Sequence, residues 1–262
     1  MKKQRVIVLR TAGTNCDIET CHAFKTVGGE VYLVHINELF SKRKYLAKYD
    51  ILAIPGGFSY GDDIAAGRIL GNELRYKLYK DIKAFASSGK PIIGICNGFQ
   101  VLVKSGLLPG FDVIDETQQV TLGWNDVGKF ECRWVYLKRV ESRCIFTKNM
   151  PDIIYLPIAH AEGKFMVKDQ LVLDRLKENQ QVVFKYVDSK GIEAPYPFNP
   201  NGSVESIAGI SNTQGNVFGM MPHPERFIVK YQHPRWTREK LKDEGDGLII
   251  FRNAVEYAAN RT

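Results

Sequence analysis

Apolar residues follow two different rhythms along this chain. Through the first hundred positions they gather in short runs: Val6-Ile7-Val8-Leu9 within Arg5 to Arg10, Val31 to Ile36, Ile51-Leu52-Ala53-Ile54, and Pro91-Ile92-Ile93-Gly94-Ile95-Cys96. Such runs read as strands covered on both faces. The stretches between them carry a helical rhythm. Ile18 to Val27 reads as a helix stopped by Gly28-Gly29, a C-cap signal. Leu70, Leu74, Leu78, Ile82 and Phe85 recur every three or four residues, which predicts one amphipathic helix. Strand and helix in alternation predict an α/β fold, a mostly parallel central sheet flanked by helices on both faces. Ligands in such sheets bind beyond the carboxyl ends of the strands.

After residue 120 the rhythm shortens. Val120 to Val140, Ile153 to Ile158, Gln181 to Val187 and Ile207 to Ile210 are rich in strand formers, and they predict an antiparallel extension of the same domain. Asp246 to Ala259 reads as a closing helix with Leu248, Phe251, Val255 and Ala259 on one face. No Ser/Gly-rich linker and no internal repeat divides the chain, so a single domain over 1–262 is expected. Within it, 228–245 forms a basic, polar insertion with Tyr231, His233 and Trp236. Two readings of that insertion stay open: a surface loop, or a loop that docks a partner through its exposed aromatic and basic side chains.

Cys96 ends the fourth apolar run and is followed at once by the helical Asn97-Gly98-Phe99-Gln100. Glycines at 94 and 98 permit a sharp strand-to-helix turn that lifts the side chain above the sheet. The free N–H groups of the helix start can hold negative charge on a thiolate or on the oxyanion it makes from a carbonyl. A cysteine nucleophile needs a base and a group that orients the base. His223 and Glu225 lie two apart in Pro222-His223-Pro224-Glu225-Arg226. On an extended segment fixed by prolines, residues two apart project the same way.

Pro55-Gly56-Gly57-Phe58, the Cys96 elbow and the His-x-Glu pair resemble a class I glutamine amidotransferase domain, a flavodoxin-like fold. Phe58-Ser59-Tyr60-Gly61-Asp62, Gly94 to Gln100, Ile158-Ala159-His160-Ala161-Glu162-Gly163, Asn199 to Ser203 and Gly215 to Arg226 narrow the resemblance. Together these blocks are similar to the glutaminase subunits of phosphoribosylformylglycinamidine synthase, and they cover most of the chain. The resemblance implies hydrolysis of glutamine to glutamate and ammonia through a Cys96 thioester, with His223 and Glu225 completing a triad. It implies N–H groups of Asn97 and of the Gly56-Gly57 turn at the oxyanion, and Phe58 and Gln100 at the glutamine. His160 is either a site residue or a structural histidine. The implied partner is a synthetase subunit that binds ATP, Mg and formylglycinamide ribonucleotide in purine biosynthesis. A small third subunit is left open, and no cofactor is expected in this chain itself.

Composition narrows the alternatives. The 262 residues are 44% hydrophobic and 25% charged, as in a globular protein with a sizeable core. No apolar stretch approaches a membrane span of ~20 residues. Met1-Lys2-Lys3-Gln4-Arg5 passes directly into the first strand, so no secretory leader and a cytoplasmic location are expected. The net charge of +7 is scattered, with no nucleic-acid motif. Cys16, Cys21, Cys96, Cys132 and Cys144 show no C-x-x-C spacing, and Cys132 and Cys144 lie in strand-like runs where they are expected to pack. Cys16, Cys21 and His22 lack a fourth ligand, so reduced thiols and no metal site are expected. The absence of a P-loop or Rossmann fingerprint fits a chain without the ATP chemistry. Three rivals stay open: a glutaminase domain serving another synthetase, a free-standing cysteine hydrolase of the same fold, and a non-catalytic scaffold subunit.

Overall fold

A computed structural model describes residues 3–111 and 118–261. Nine strands form one sheet in the order β2-β1-β3-β4-β11-β10-β9-β6-β7. Five of them run parallel: β2 (Glu30–His35), β1 (Arg5–Arg10), β3 (Ile51–Ile54), β4 (Ile92–Ile95) and β11 (Val217–Met220). From β11 the sheet continues antiparallel through β10 (Ile207–Ser211), β9 (Val182–Val187), β6 (Glu131–Arg139) and β7 (Ile153–His160). The apolar pattern explains the division. Every residue of β3, β4 and β11 is buried, as strands with helices on both faces require. β7 alternates in burial along its length, as a strand with one core face does.

Helix α1 (Asp17–Thr26) packs on the closing helix α7 (Leu248–Ala259). Phe24 and Phe251 meet edge to face there, 4.9 Å apart. α3 (Arg68–Lys77), α4 (Tyr79–Ser87) and α5 (Asn97–Lys104) form a second packed group. α2 (Ile36–Phe40) follows β2, and α6 (Gln170–Glu178) precedes β9.

Three expectations need correction. The apolar rhythm from Leu70 to Phe85 spans two helices, because Leu78 leaves helical geometry at φ −124°, ψ 8°. Buried residues keep facing the core across the break, so the periodicity survives while the helix does not. The 120–140 region is also split. β5 (Val120–Gly123) pairs with β8 (Lys164–Val167) in a separate two-stranded ribbon, and only β6 joins the main sheet. Cys132, expected to pack, lies exposed, because alternation along β6 turns it away from the core face that holds Val135 and Leu137.

The outer edge of β7 is not left open. Tyr155 N–H donates to Asp246 Oδ2 at 2.9 Å, and Pro157 C=O accepts from His223 N–H at 2.8 Å. The antiparallel half therefore brings its last strand against the segment that leaves β11.

Candidate active site

Cys96 stands between β4 and α5 with φ 51° and ψ −107°. A non-glycine residue held there costs about 1–3 kcal/mol, so the surroundings must impose it. They do so by closeness. A Cβ at Gly98 would sit 1.9 Å from the Ile54 carbonyl oxygen, and one at Gly94 would sit 2.5 Å from the Gly98 oxygen. Cys96 N–H is tied to Met220 C=O at 2.8 Å. The thiol projects toward Ala159 C=O, 3.7 Å away. Asn97 and Gly98 open α5, where N–H groups have no partner within the helix.

β11 lies beside β4 with Met220 opposite Ile95, so the chain leaving β11 arrives next to the elbow. His223 is extended, but Pro224 to Arg226 form a single 3-10 turn. That turn, rather than strand alternation, folds Glu225 back onto the ring. The contact is His223 Nδ1 to Glu225 Oε1, 2.7 Å, fully buried. A carboxylate at that distance accepts the Nδ1 proton and leaves Nε2 as the basic nitrogen. Among the described residues Nε2 has no hydrogen-bond partner. Burial opposes charge on the imidazole. The charges of Glu225 and Cys96 and the contact with Cys16 outweigh burial and hold His223 well above the ordinary histidine value.

The Gly56-Gly57 turn ends β3 and lies against His223: a Cβ at Gly56 would come 2.8 Å from the ring's Cε1. The turn is held by the segment after β1. Gly56 C=O accepts from Cys16 N–H at 3.2 Å, and Phe58 N–H donates to Gly13 C=O at 2.9 Å. The Phe58 ring is exposed. Asn97 and Gln100 are buried, so Gln100 is no surface amide. Asn97 Nδ2 donates to Gln100 Oε1 and to Asp62 Oδ1, both at 3.0 Å, and Gln100 Nε2 donates to Glu162 C=O at 2.5 Å. Burial holds the Asp62 carboxyl above its ordinary value despite the hydrogen bonds from Gly67 and Asn97.

His160 ends β7 with its ring in a buried polar cluster. Asn125 Nδ2 donates to the carbonyls of Lys129 and His160. Its Oδ1 is therefore an acceptor, taking Gly163 N–H at 3.1 Å and His160 Nδ1–H at 3.2 Å. Burial, then the charge of His223, pushes His160 down to about 3, so its ring is neutral. Asn201 Nδ2 holds Gly163 C=O at 2.8 Å, and Ser203 Oγ accepts from Phe165 N–H. The 199–203 motif thus braces the wall of the site from behind. Through that wall His160 reaches the site by backbone: Ala159 C=O faces Cys96, and Glu162 C=O faces Gln100.

One residue beside His223 had no motif to announce it. Cys16 does not join Cys21 and His22. Its Sγ lies 3.9 Å from His223 Nδ1 and accepts from Arg226 Nη2 at 3.1 Å. A separation of 207 positions along the chain hid the pairing from any spacing rule.

A cysteine elbow, a buried His–Glu pair and a glycine turn at the ends of neighbouring parallel strands define a class of enzyme, the amidotransferases that use a thiol to open an amide. The family model for the CobB/CobQ-like glutamine amidotransferase domain matches residues 3–258, and the chain belongs to that family. Phosphoribosylformylglycinamidine synthase subunit PurQ from Dehalococcoides mccartyi is 52% identical, covering 98% of this chain and 99% of that protein. The protein of the same name from Archaeoglobus fulgidus is 47% identical over 97% of this chain and 96% of its own length. Among solved structures, PurLQS from Thermotoga maritima contains a chain that is 33% identical, with a TM-score of 0.75, covering 98% of this chain and 99% of that one.

Proposed function

We propose that this chain is the glutaminase subunit of phosphoribosylformylglycinamidine synthase. The observation that carries the reading is the His223–Glu225 contact of 2.7 Å beside the strained Cys96 elbow, in a chain about half identical to PurQ over nearly its whole length. The geometry supports the following steps. Cys96 Sγ attacks the side-chain amide of glutamine. The oxyanion is received by N–H groups at the start of α5 and on the Gly56-Gly57 turn. His223, oriented by Glu225, gives a proton to the departing ammonia and then takes one from the water that cleaves the thioester. Gln100 and Asn97 fix the pocket wall against which glutamine lies.

Ammonia passes to a synthetase partner, which uses ATP and Mg to convert formylglycinamide ribonucleotide to formylglycinamidine ribonucleotide. Neither group is resident in this chain. A small third subunit, like the one implied by the name PurLQS, completes the assembly. Among the described residues no helix is long and apolar enough to cross a membrane, and a cytoplasmic location fits this chemistry. The chain works as one domain, with 228–245 carried as an appended loop. That loop is closed at its base by Gly245 N–H to Ile228 C=O at 3.0 Å and pinned by His233 among Trp134, Tyr155 and Phe227.

The test is Cys96→Ala in the assembled complex. Glutamine-driven synthesis should vanish while synthesis driven by added ammonia persists. Loss of both in a folded complex contradicts the reading. Full glutaminase activity from the isolated chain at the complex's rate would favour the free-standing hydrolase.

A further inference from the structure

Cys16 is a buried thiol that the reaction above does not use, and it touches both halves of the site. It is 1% exposed. Its backbone N–H holds Gly56 of the glycine turn, and its Sγ lies 3.2 Å from where a Gly56 Cβ would stand. The same sulfur lies 3.9 Å from His223 Nδ1. Its proton goes to Asn15 Oδ1 at 3.2 Å, and it accepts from Arg226 Nη2 at 3.1 Å. Arg226 is itself paired with Glu19 on α1 at 3.4 Å.

We infer that Cys16 is a positioning residue for glutamine hydrolysis: its sulfur spaces the Arg226 guanidinium from the His223 imidazole and fixes that ring against the Gly56 turn. The inference rests on the reading of Cys96, His223 and Glu225 as the glutaminase triad. Five charged or titratable groups bear on the His223 ring. Glu225, Cys96 and the contact with the neutral Cys16 thiol favour its charge, the like charge of Arg226 across that sulfur opposes it, and His160 is neutral. Burial pushes the Cys16 thiol up, against the pull of His223 and Arg226, so it stays a neutral, polarizable spacer. Cys16, His223 and Glu225 do offer ligand atoms within 4.8 Å of one another, a set that a thiophilic divalent ion accepts. Arg226 already places a fixed positive charge against that sulfur, and Glu225 already takes the imidazole proton. Spacing, not metal capture, is the role these neighbours permit.

The experiment measures glutamine-driven and ammonia-driven synthesis against pH in the assembled complex. Cys16→Ala lets the guanidinium approach the imidazolium. Glutamine-driven kcat should fall on the order of tenfold, as expected for a slightly misplaced catalytic group. KM should change by less than about twofold, since the interaction lost is made in the transition state. The upper limb of the pH profile should move to lower pH. Cys16→Ser, which keeps a donor and an acceptor, should return the limb to the wild-type position. Arg226→Gln removes the opposing charge and should move the limb the other way, which keeps the test open if the alanine variant does not fold. Ammonia-driven synthesis should be unchanged throughout. A Cys16→Ala enzyme that folds, loses only thermal stability and keeps the wild-type limb overturns the inference. Cys96→Ala run alongside separates the two failures: if it retains glutamine-driven activity, the triad reading itself has failed.

Discussion

The two turns that meet at the active site are built by opposite means. The turn of the proposed nucleophile follows β4 and is shaped by backbone. Cys96 is forced to a positive φ because Gly94, Gly98 and Ile54 leave no room for any other path. The base turn follows β11, the neighbouring strand, and is shaped by contacts from elsewhere. Pro157 holds the His223 backbone, Glu225 holds the ring, and Cys16 and Gly56 lie against its flank. A nucleophile must present one atom at one place, and local sterics suffice for that. A base must choose a tautomer and a charge state, and only neighbouring charges can set those.

The difference predicts how each turn breaks. His223→Ala should cost glutamine-driven activity nearly as much as loss of the nucleophile, on the order of 10^4-fold or more, because nucleophile and base act as a unit. Glu225→Gln should cost one or two orders less, roughly, because an amide still orients the ring. It also removes the charge that raises His223. The imidazolium is then lost at lower pH, and the upper limb of the pH–rate profile should move down. Steady-state assays of both variants across pH check this. A Glu225→Gln profile with an unmoved limb would contradict the electrostatic role.

On the nucleophile side the expected damage is to stability. Gly98→Ala places a methyl 1.9 Å from the Ile54 oxygen and should destabilise the fold by about 3 kcal/mol, the upper end of the usual range for forced overpacking. Urea unfolding measures it, and an unchanged midpoint would mean that the elbow is looser than described.

This contrast also explains what could be read in advance. The parallel strands and the elbow with its glycines leave a local pattern in the sequence, and that pattern predicts them, although Ile54 and Met220 close the turn from other strands. The proposed triad partners are legible only as a motif, and their alignment has another cause than extended spacing, since a 3-10 turn brings Glu225 to His223. The contacts of Cys16 and Asn125 were not legible at all, and Asn201 and Ser203 were legible as a motif without a role. Their long-range partners lie 35 to 210 positions away, beyond the reach of any periodicity. The break at Leu78 escaped for a related reason: apolar spacing records which face is buried, not whether the backbone is continuous.

Smaller effects follow from the neutral histidine and the appended loop. His160 is held near 3 by burial, below its unfolded value of about 6.5. The unfolded chain therefore gains a proton first as pH falls, and stability drains away from about pH 6 toward pH 3. His160→Asn lacks that proton site and should flatten the acid limb of the urea-derived stability profile. An unaltered slope would show that the ring is charged or solvated in the native state. In the loop, Tyr231 and Trp236 stack edge to face while 63% and 47% exposed. If this loop docks the synthetase, Arg235→Ala with Trp236→Ala should weaken complex formation about tenfold, the scale of an exposed aromatic anchor with a rim charge. Equal affinity in a titration of the partner would leave 228–245 a surface loop.

The most direct measurement is of the thioester itself. The complex is mixed with glutamine, quenched in acid, and its peptides are weighed by mass spectrometry. The mechanism predicts a glutamyl group on the Cys96 peptide, absent in Cys96→Ala, and an unmodified Cys16 peptide. Glutamine consumed at the full rate with no adduct on Cys96, or an adduct on Cys16 instead, would contradict it.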